Sequence, residues 1–193
     1  MIPGERQSSK TGCRTSPGPV VRTVHEMVRL FLGLCGANIL LLGSVFVLGL
    51  GTKGASGRPT ELYPYHLALG VLTGLLTTLV HVAVYTYFMA TTKWLGAATN
   101  KAALDPAQFL EPAVAAKQAM LPLVLLPVVA TMLTMFAGAG ADPTMRPWWP
   151  SEVHLVLAAA CIALNVLCHV LQYHRIGAQG VRMDRALAAM KAA

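Results

Sequence analysis

Four long apolar blocks dominate the pattern of hydrophobic and polar positions along the chain. They cover residues 30–50, 66–90, 119–140 and 153–173, and each holds about 20 residues or more. At ~1.5 Å of rise per residue, a helix of this length crosses the ~30 Å hydrocarbon core of a bilayer. Membrane strands would alternate in polarity over about 10 residues, which these blocks do not. The pattern therefore predicts an all-α membrane protein with a bundle of four transmembrane helices.

The polar stretches outside these blocks predict three parts of the chain. Residues 1–28 are rich in proline, glycine and charge, which predicts a disordered cytoplasmic tail. Residues 29–175 form the transmembrane bundle, and residues 176–193 form a cytoplasmic C-terminal segment.

Two short amphipathic stretches are expected to lie on the cytoplasmic membrane surface. In the first, Asp105 and Pro106 read as the N-cap and first residue of a helix that continues to about Gln118 and is interrupted at Pro112. The second runs from Val181 to Met190.

Composition excludes a soluble globule. Hydrophobic residues make up 55% of the chain and charged residues 12%, and the mean hydropathy is +0.57. A soluble domain carries about twice this share of charge. The net charge of +7 does not predict nucleic-acid binding, because the basic residues lie mostly in tails and loops beside apolar blocks. The expected partner is the lipid bilayer, with no nucleic acid.

Loop charges predict the orientation in a bacterial inner membrane. The two tails and the loop between the second and third blocks hold twelve lysines and arginines, against three in the other two loops. The positive-inside rule therefore places both termini in the cytoplasm. Aromatic side chains mark both predicted interfaces: Tyr63, Tyr65, Trp148 and Trp149 on the outer side, and Tyr85, Tyr87, Phe88, Trp94 and Tyr173 on the inner side.

Four histidines inside the apolar blocks carry the candidate chemistry. His66 and His81 lie 15 residues apart in the second block, and His154 and His169 lie 15 apart in the fourth. When 66–87 is laid over 154–175, several neighbours also match: Leu67, Leu69, Leu76, Leu79, Val82 and Tyr85 correspond to Leu155, Leu157, Leu164, Leu167, Val170 and Tyr173. The match predicts a tandem repeat of two related helical hairpins.

Equal spacing on parallel helices brings the histidines together in pairs. The second and fourth helices cross the membrane in the same direction, so His66 is expected level with His154, and His81 level with His169. The two levels are ~22 Å apart at 1.5 Å per residue. Neutral imidazole is a good ligand of haem iron. Two haems, one near each membrane face, are therefore a candidate.

Small residues lie on nearly the same faces as the histidines. Gly70 and Gly74 follow His66, and Ala158 and Cys161 follow His154. Such residues leave clearance for a flat macrocycle, and they also allow two helices to pack closely without a cofactor. Cys13, Cys35, Cys161 and Cys168 form no C-x-x-C pair, which argues against zinc-knuckle and thioredoxin-like sites.

The paired histidines resemble those of b-type cytochromes with four-helix, bis-histidine haem cores. The resemblance covers the four helices, although the spacing within each helix is slightly longer than is usual in that family. It implies electron transfer across the membrane within a larger redox complex or a homo-oligomer. A narrower resemblance, over His81-x-x-x-Tyr85-Thr86-Tyr87-Phe88 and Lys93-Trp94, is to uncharacterised bacterial four-helix membrane proteins, and it implies no chemistry.

Two other functions stay open. The histidines could pack helices in a cofactor-free membrane subunit or scaffold, or they could serve proton or small-solute transport. No catalytic carboxylate pair, nucleophile elbow or phosphate loop is visible in the sequence. An electron-transfer or structural subunit is therefore expected rather than a stand-alone enzyme.

Overall fold

The computed structural model describes the backbone of residues 19–54 and 58–192, with side chains from residue 27 onward. Four helices account for almost all of it: α1 Pro19–Leu50, α2 Tyr63–Ala102, α3 Pro106–Gly140 and α4 Ser151–Ala192. Each contains a window that is long and apolar enough to cross a membrane. The predicted four-helix membrane bundle is confirmed.

Helices α2 and α4 form the centre of the bundle. They contact each other, α1 packs against both of them on one side, and α3 packs against both on the other. Among the described residues, the backbones of α1 and α3 do not approach each other closely: none of their Cα atoms lie within 8 Å. Because α2 and α4 are separated in the chain by one helix, they run parallel, and residues at matching heights on them meet across the bundle axis.

The outer surface of the bundle is apolar and its axis is partly polar. Large side chains such as Leu40, Leu75 and Val156 are 66% or more exposed, which is the arrangement that lipid favours. The main buried cluster centres on Phe31, Val80, Phe88, Met120 and Ile176. Buried asparagine, glutamine, threonine and histidine side chains lie beside it along the axis.

All four helices, of 32 to 42 residues, are longer than a bilayer core is thick. Helix α4 has 42 residues, which corresponds to ~60 Å of length, about twice the thickness of the hydrocarbon. The extension lies at the end of the bundle where α4 finishes and where α2 turns into α3; we call it the terminal end. The opposite end, with the α1–α2 and α3–α4 loops, is the loop end.

The two amphipathic stretches differ from their predicted placement. Residues 106–118 are the first turns of α3, which continues through Pro112, and residues 181–190 are the last turns of α4. Their apolar faces bury Phe109, Ala113 and Ala186 against Leu95 of α2 in a second core. The apolar faces of the two stretches are therefore buried against each other and against α2, and not against the membrane surface as predicted. Of the predicted tail, residues 19–28 belong to α1, and residues 1–18 lie outside the described part.

Turn chemistry explains the tight connection between α2 and α3. The backbone of Ala103 is left-handed, with φ of 51°, and its N–H bonds to Thr99 O as the cap of α2. Asp105 accepts a hydrogen bond from the N–H of Ala107 at 3.0 Å, and Pro106 occupies the first turn of α3. The predicted N-cap at Asp105 is confirmed.

The loop end is closed by side chains from the α3–α4 loop. Trp149 donates its indole N–H to Ala137 O at 2.8 Å, a carbonyl at the end of α3 that also accepts from the N–H of Ala141. Asp142 accepts hydrogen bonds from the amide and the hydroxyl of Thr144 at 2.8 and 2.7 Å. Partial desolvation opposes ionisation of Asp142, but these bonds and one from Tyr63 lower its pKa.

We expect Phe88→Ala to lower the free energy of unfolding by ~3 kcal/mol, the lower end of the usual range, because lipid removes the water-transfer share of the loss. Phe88 is fully buried in the main cluster. Phe136→Ala, at a position that is 56% exposed, is the matched control and should cost less than ~1 kcal/mol. Unfolding in mixed detergent–SDS micelles, followed by circular dichroism, measures both; equal losses would contradict the assigned core.

Candidate functional site: two histidine pairs between the central helices

Both predicted histidine pairs meet across the bundle axis. The ring centres of His66 and His154 are 6.2 Å apart, with their planes at 80°. Those of His81 and His169 are 4.9 Å apart and nearly parallel, at 10°. The expected meeting of His66 with His154 and of His81 with His169 is confirmed. We call His66 and His154 the loop-end pair, and His81 and His169 the mid-bundle pair.

The loop-end pair is oriented by backbone carbonyls of the preceding helices. His66 Nδ1 lies 3.0 Å from Val45 O of α1, and His154 Nδ1 lies 3.0 Å from Thr134 O of α3. A carbonyl only accepts, so each Nδ1 carries a proton and donates it. In the neutral imidazole, Nε2 of each ring then holds a free lone pair.

Two glycines make room for these rings. A Cβ atom at Gly49 would lie 2.8 Å from Cε1 of His66, and one at Gly138 would lie 3.0 Å from Cε1 of His154. Each glycine stands four residues after the carbonyl that its histidine contacts. The two hairpins therefore build the same site twice, from Val45, Gly49 and His66 and again from Thr134, Gly138 and His154, which bears out the tandem repeat in structural terms.

The ring-centre separation of the loop-end pair is close to that expected for two imidazole ligands of one metal ion. Bonds from first-row metals to imidazole nitrogen are ~2 Å long and the ring centre lies ~1 Å behind the nitrogen, so two rings on opposite sides of one ion have centres ~6 Å apart. The observed separation is 6.2 Å. Donation of the second ring N–H to a carbonyl is the usual way in which a metal-binding histidine is oriented.

The mid-bundle pair is surrounded by amide side chains whose orientations are determined by their other contacts. Asn165 donates its amide group to Cys161 O at 2.9 Å, so its Oδ1 accepts from Nε2 of His81 at 3.2 Å. Gln172 donates to Leu123 O and to Nδ1 of His81, both at 2.8 Å. His81 is therefore a neutral ring with its proton on Nε2 and with both nitrogens occupied.

The same reasoning determines the protonation of His169. Thr77 donates its hydroxyl to Oδ1 of Asn38 at 2.8 Å, which turns the amide group of Asn38 toward Nε2 of His169 at 3.1 Å. Nε2 of His169 thus accepts, and its proton lies on Nδ1. That buried Nδ1 and the buried Oε1 of Gln172 have no hydrogen-bond partner, so one donor and one acceptor stand on the same face of α4, three residues apart.

The mid-bundle pair therefore does not fit an axial pair in this arrangement. Its rings are stacked with centres 4.9 Å apart, closer than the ~6 Å expected for two rings on one ion, and neither ring has an unoccupied lone pair. The observed arrangement does not support the predicted second haem on His81 and His169. The physical reason is that neighbouring amides satisfy the nitrogens that iron would need.

The four small residues predicted beside the haems also differ in what surrounds them. Gly70 and Ala158 are half-buried, between the two pairs. The space beside Gly74 is taken by Met135, whose Sδ would lie 2.6 Å from an added Cβ. Cys161 is buried, and its sulfur lies 3.4 Å from both Thr131 Oγ1 and Asn165 Nδ2. Gly74 and Cys161 therefore serve packing and hydrogen bonding in this structure.

Several important residues were not identified from sequence. Asn38 and Gln172 are fully buried and hold the mid-bundle pair, and each is an amide inside or at the edge of an apolar block. Gly49 and Gly138 are offset by 89 residues, close to the 88 that separate His66 from His154. The repeat, continued into the first and third helices, is the sequence signal that marks these two glycines.

Neither the protein-family models, nor the curated proteins, nor the solved structures that were compared with this chain gave a match.

The hydrogen bonds predict different ring tautomers for the four histidines. In the protein without added cofactor, we expect the proton on Nδ1 in His66, His154 and His169, and on Nε2 in His81 alone. ¹⁵N NMR of protein labelled at histidine distinguishes the two forms by ring-nitrogen shift, and a His81→Phe variant identifies the Nε2–H signal that belongs to His81. A spectrum in which the four core rings share one tautomer would contradict the network.

Proposed function

We propose that the chain is a membrane electron-transfer subunit in which His66 and His154 would hold one b-type haem. The observation that supports this is the loop-end pair itself: two imidazoles on parallel helices, 6.2 Å apart, each donating Nδ1–H to a carbonyl and leaving Nε2 free. When bound, a haem would supply one-electron chemistry.

The residues around the pair position the ligands before a cofactor arrives. Val45 O and Thr134 O hold the ring planes and set the tautomer in which Nε2 accepts rather than donates. Because Gly49 and Gly138 have no Cβ atom, the two imidazole rings can lie directly against α1 and α3. Gly70 and Ala158, the small half-buried neighbours, stay candidates for contact with the macrocycle.

The proposed setting is the inner membrane of a bacterium, with both termini in the cytoplasm and the loop end outside. The charge asymmetry of the sequence supports this orientation, and the apolar helix surfaces support the bilayer. An electron carrier needs a donor and an acceptor, so the subunit is proposed to work with other subunits of a redox complex or in a homo-oligomer.

We expect the purified protein, supplied with haemin, to show a b-type α-band in a reduced-minus-oxidised spectrum, with about one haem per chain. His66→Phe and His154→Phe should each abolish the band. His81→Phe should retain it, because the mid-bundle pair is not a ligand pair in the structure. His174→Phe, at an exposed position, is the matched control and should leave the spectrum unchanged.

Circular dichroism of each variant separates loss of a ligand from loss of the fold. A colourless wild-type protein would overturn the haem proposal, and so would a band that survives His66→Phe. Two haems per chain, with one lost in His81→Phe, would restore the two-haem arrangement and overturn the assignment of the mid-bundle amides.

A second candidate function, a cofactor-free subunit or scaffold, is favoured by the mid-bundle network. Its amides and rings join α1, α2, α3 and α4 through Asn38, His81, Leu123 and Gln172. Such bonds between helices specify one packing of a bundle whose surface is otherwise uniformly apolar.

We expect Asn165→Leu to destabilise the bundle by about 1–3 kcal/mol, because Nε2–H of His81 would lose its acceptor inside the core. Thr86→Val, at an exposed position where the hydroxyl bonds only within its own helix, should cost less than ~0.5 kcal/mol. Unfolding in mixed micelles gives both values. A neutral Asn165→Leu would show that the network does not hold the helices together.

A further inference from the structure

A cavity between α3 and α4 at the terminal end, which opens to the surface as a groove, is the strongest feature that the histidine site leaves unexplained. It has a volume of about 410 Å³ and is lined mainly by Ala115, Ala116 and Ala119 of α3 and by Arg175, Ala178 and Arg182 of α4. The wall therefore combines methyl groups with two guanidinium groups, and no carboxylate belongs to it.

The two arginines stand on one face of α4. They are seven residues apart, two helical turns or ~10 Å along the axis. In the described part of the chain, Arg175 donates one hydrogen bond to Ala119 O, and Arg182 donates one to Oε1 of Gln179. A guanidinium has five N–H donors, so most of the donors of both residues stay available to a ligand.

The position of the cavity matches the boundary of the bilayer. Arg175 follows Tyr173, the aromatic residue at which the fourth apolar block ends. Interfacial aromatic side chains lie at the level of the lipid headgroups. The arginines therefore stand at headgroup depth, and the alanines beside them offer a smooth apolar groove between two helices.

We propose that this cavity binds an anionic phospholipid, with the phosphate on Arg175 and Arg182 and an acyl chain against the alanines. Arginine pairs well with phosphate because its planar fork offers two parallel N–H groups. Basic pockets between membrane helices are suited to such headgroups. A soluble anion would use the guanidinium groups but would gain nothing from the alanine wall, which is why we commit to lipid.

The test compares thermal unfolding of the full chain in a zwitterionic detergent with three additions: phosphatidylglycerol, phosphatidylcholine and inorganic phosphate at equal concentration. We expect phosphatidylglycerol to raise Tm by ~5 °C through preferential binding to the folded state. Phosphatidylcholine and inorganic phosphate should raise it by less than ~1 °C.

Two variants and one matched control locate the effect. R175Q/R182Q should lose the phosphatidylglycerol increment, and R185Q/K191Q, which removes the same charge from exposed positions of the same helix, should keep it. Ala115→Phe fills the groove without changing charge and should also reduce the increment, which keeps the proposal testable if the double arginine variant does not fold.

Three results would overturn the proposal. Retention of the full increment in R175Q/R182Q or in Ala115→Phe would place the lipid elsewhere. An equal loss in R185Q/K191Q would indicate general charge attraction rather than a site. An equal response to inorganic phosphate would indicate an anion site without a lipid chain. None of these outcomes bears on haem binding at the loop-end pair, so the two proposals fail independently.

Discussion

Satisfaction of polar groups where no water is available is the constraint on which the core of this bundle depends. Asn38, His81, Asn165 and Gln172 are each fully buried, and each unsatisfied donor or acceptor in such a place costs a large part of the stability of a small protein. The amides meet most of this requirement by taking orientations that their other contacts dictate, and within the network only Nδ1 of His169 and Oε1 of Gln172 are left without a partner. Both rings of the mid-bundle pair are thereby held neutral, and their tautomers follow from the pattern of donors.

The part of α3 around Pro127 is hydrogen-bonded to the same network. Pro127 has no N–H, so Leu123 O has no helical partner four residues later. Gln172 of α4 donates to that carbonyl at 2.8 Å while it also donates to His81. A helix defect and a buried imidazole are thus satisfied by one side chain. The network joins α3 to the central helices at the carbonyl that Pro127 leaves without a helical partner.

The two histidine pairs differ because of what surrounds them rather than because of their spacing. Backbone carbonyls contact one nitrogen of each ring in the loop-end pair and leave the other free. Side-chain amides contact the mid-bundle rings, which are stacked and offer no free lone pair. The first arrangement is suited to holding a ligand, and the second is suited to holding helices together.

Sequence alone determined the membrane-spanning fold, because unbroken apolar blocks of about 20 residues have few alternatives in water or lipid. It also determined that His66 meets His154 and that His81 meets His169, since equal spacing on parallel helices puts them at equal heights. Tertiary structure decided the rest. The 105–118 and 181–190 stretches joined α3 and α4 because they bury Phe109 and Ala186 against Leu95, a contact between distant segments that no local pattern contains. It likewise decided which imidazole nitrogens are free, because Asn38 and Gln172 reach the rings across 131 and 91 residues of chain.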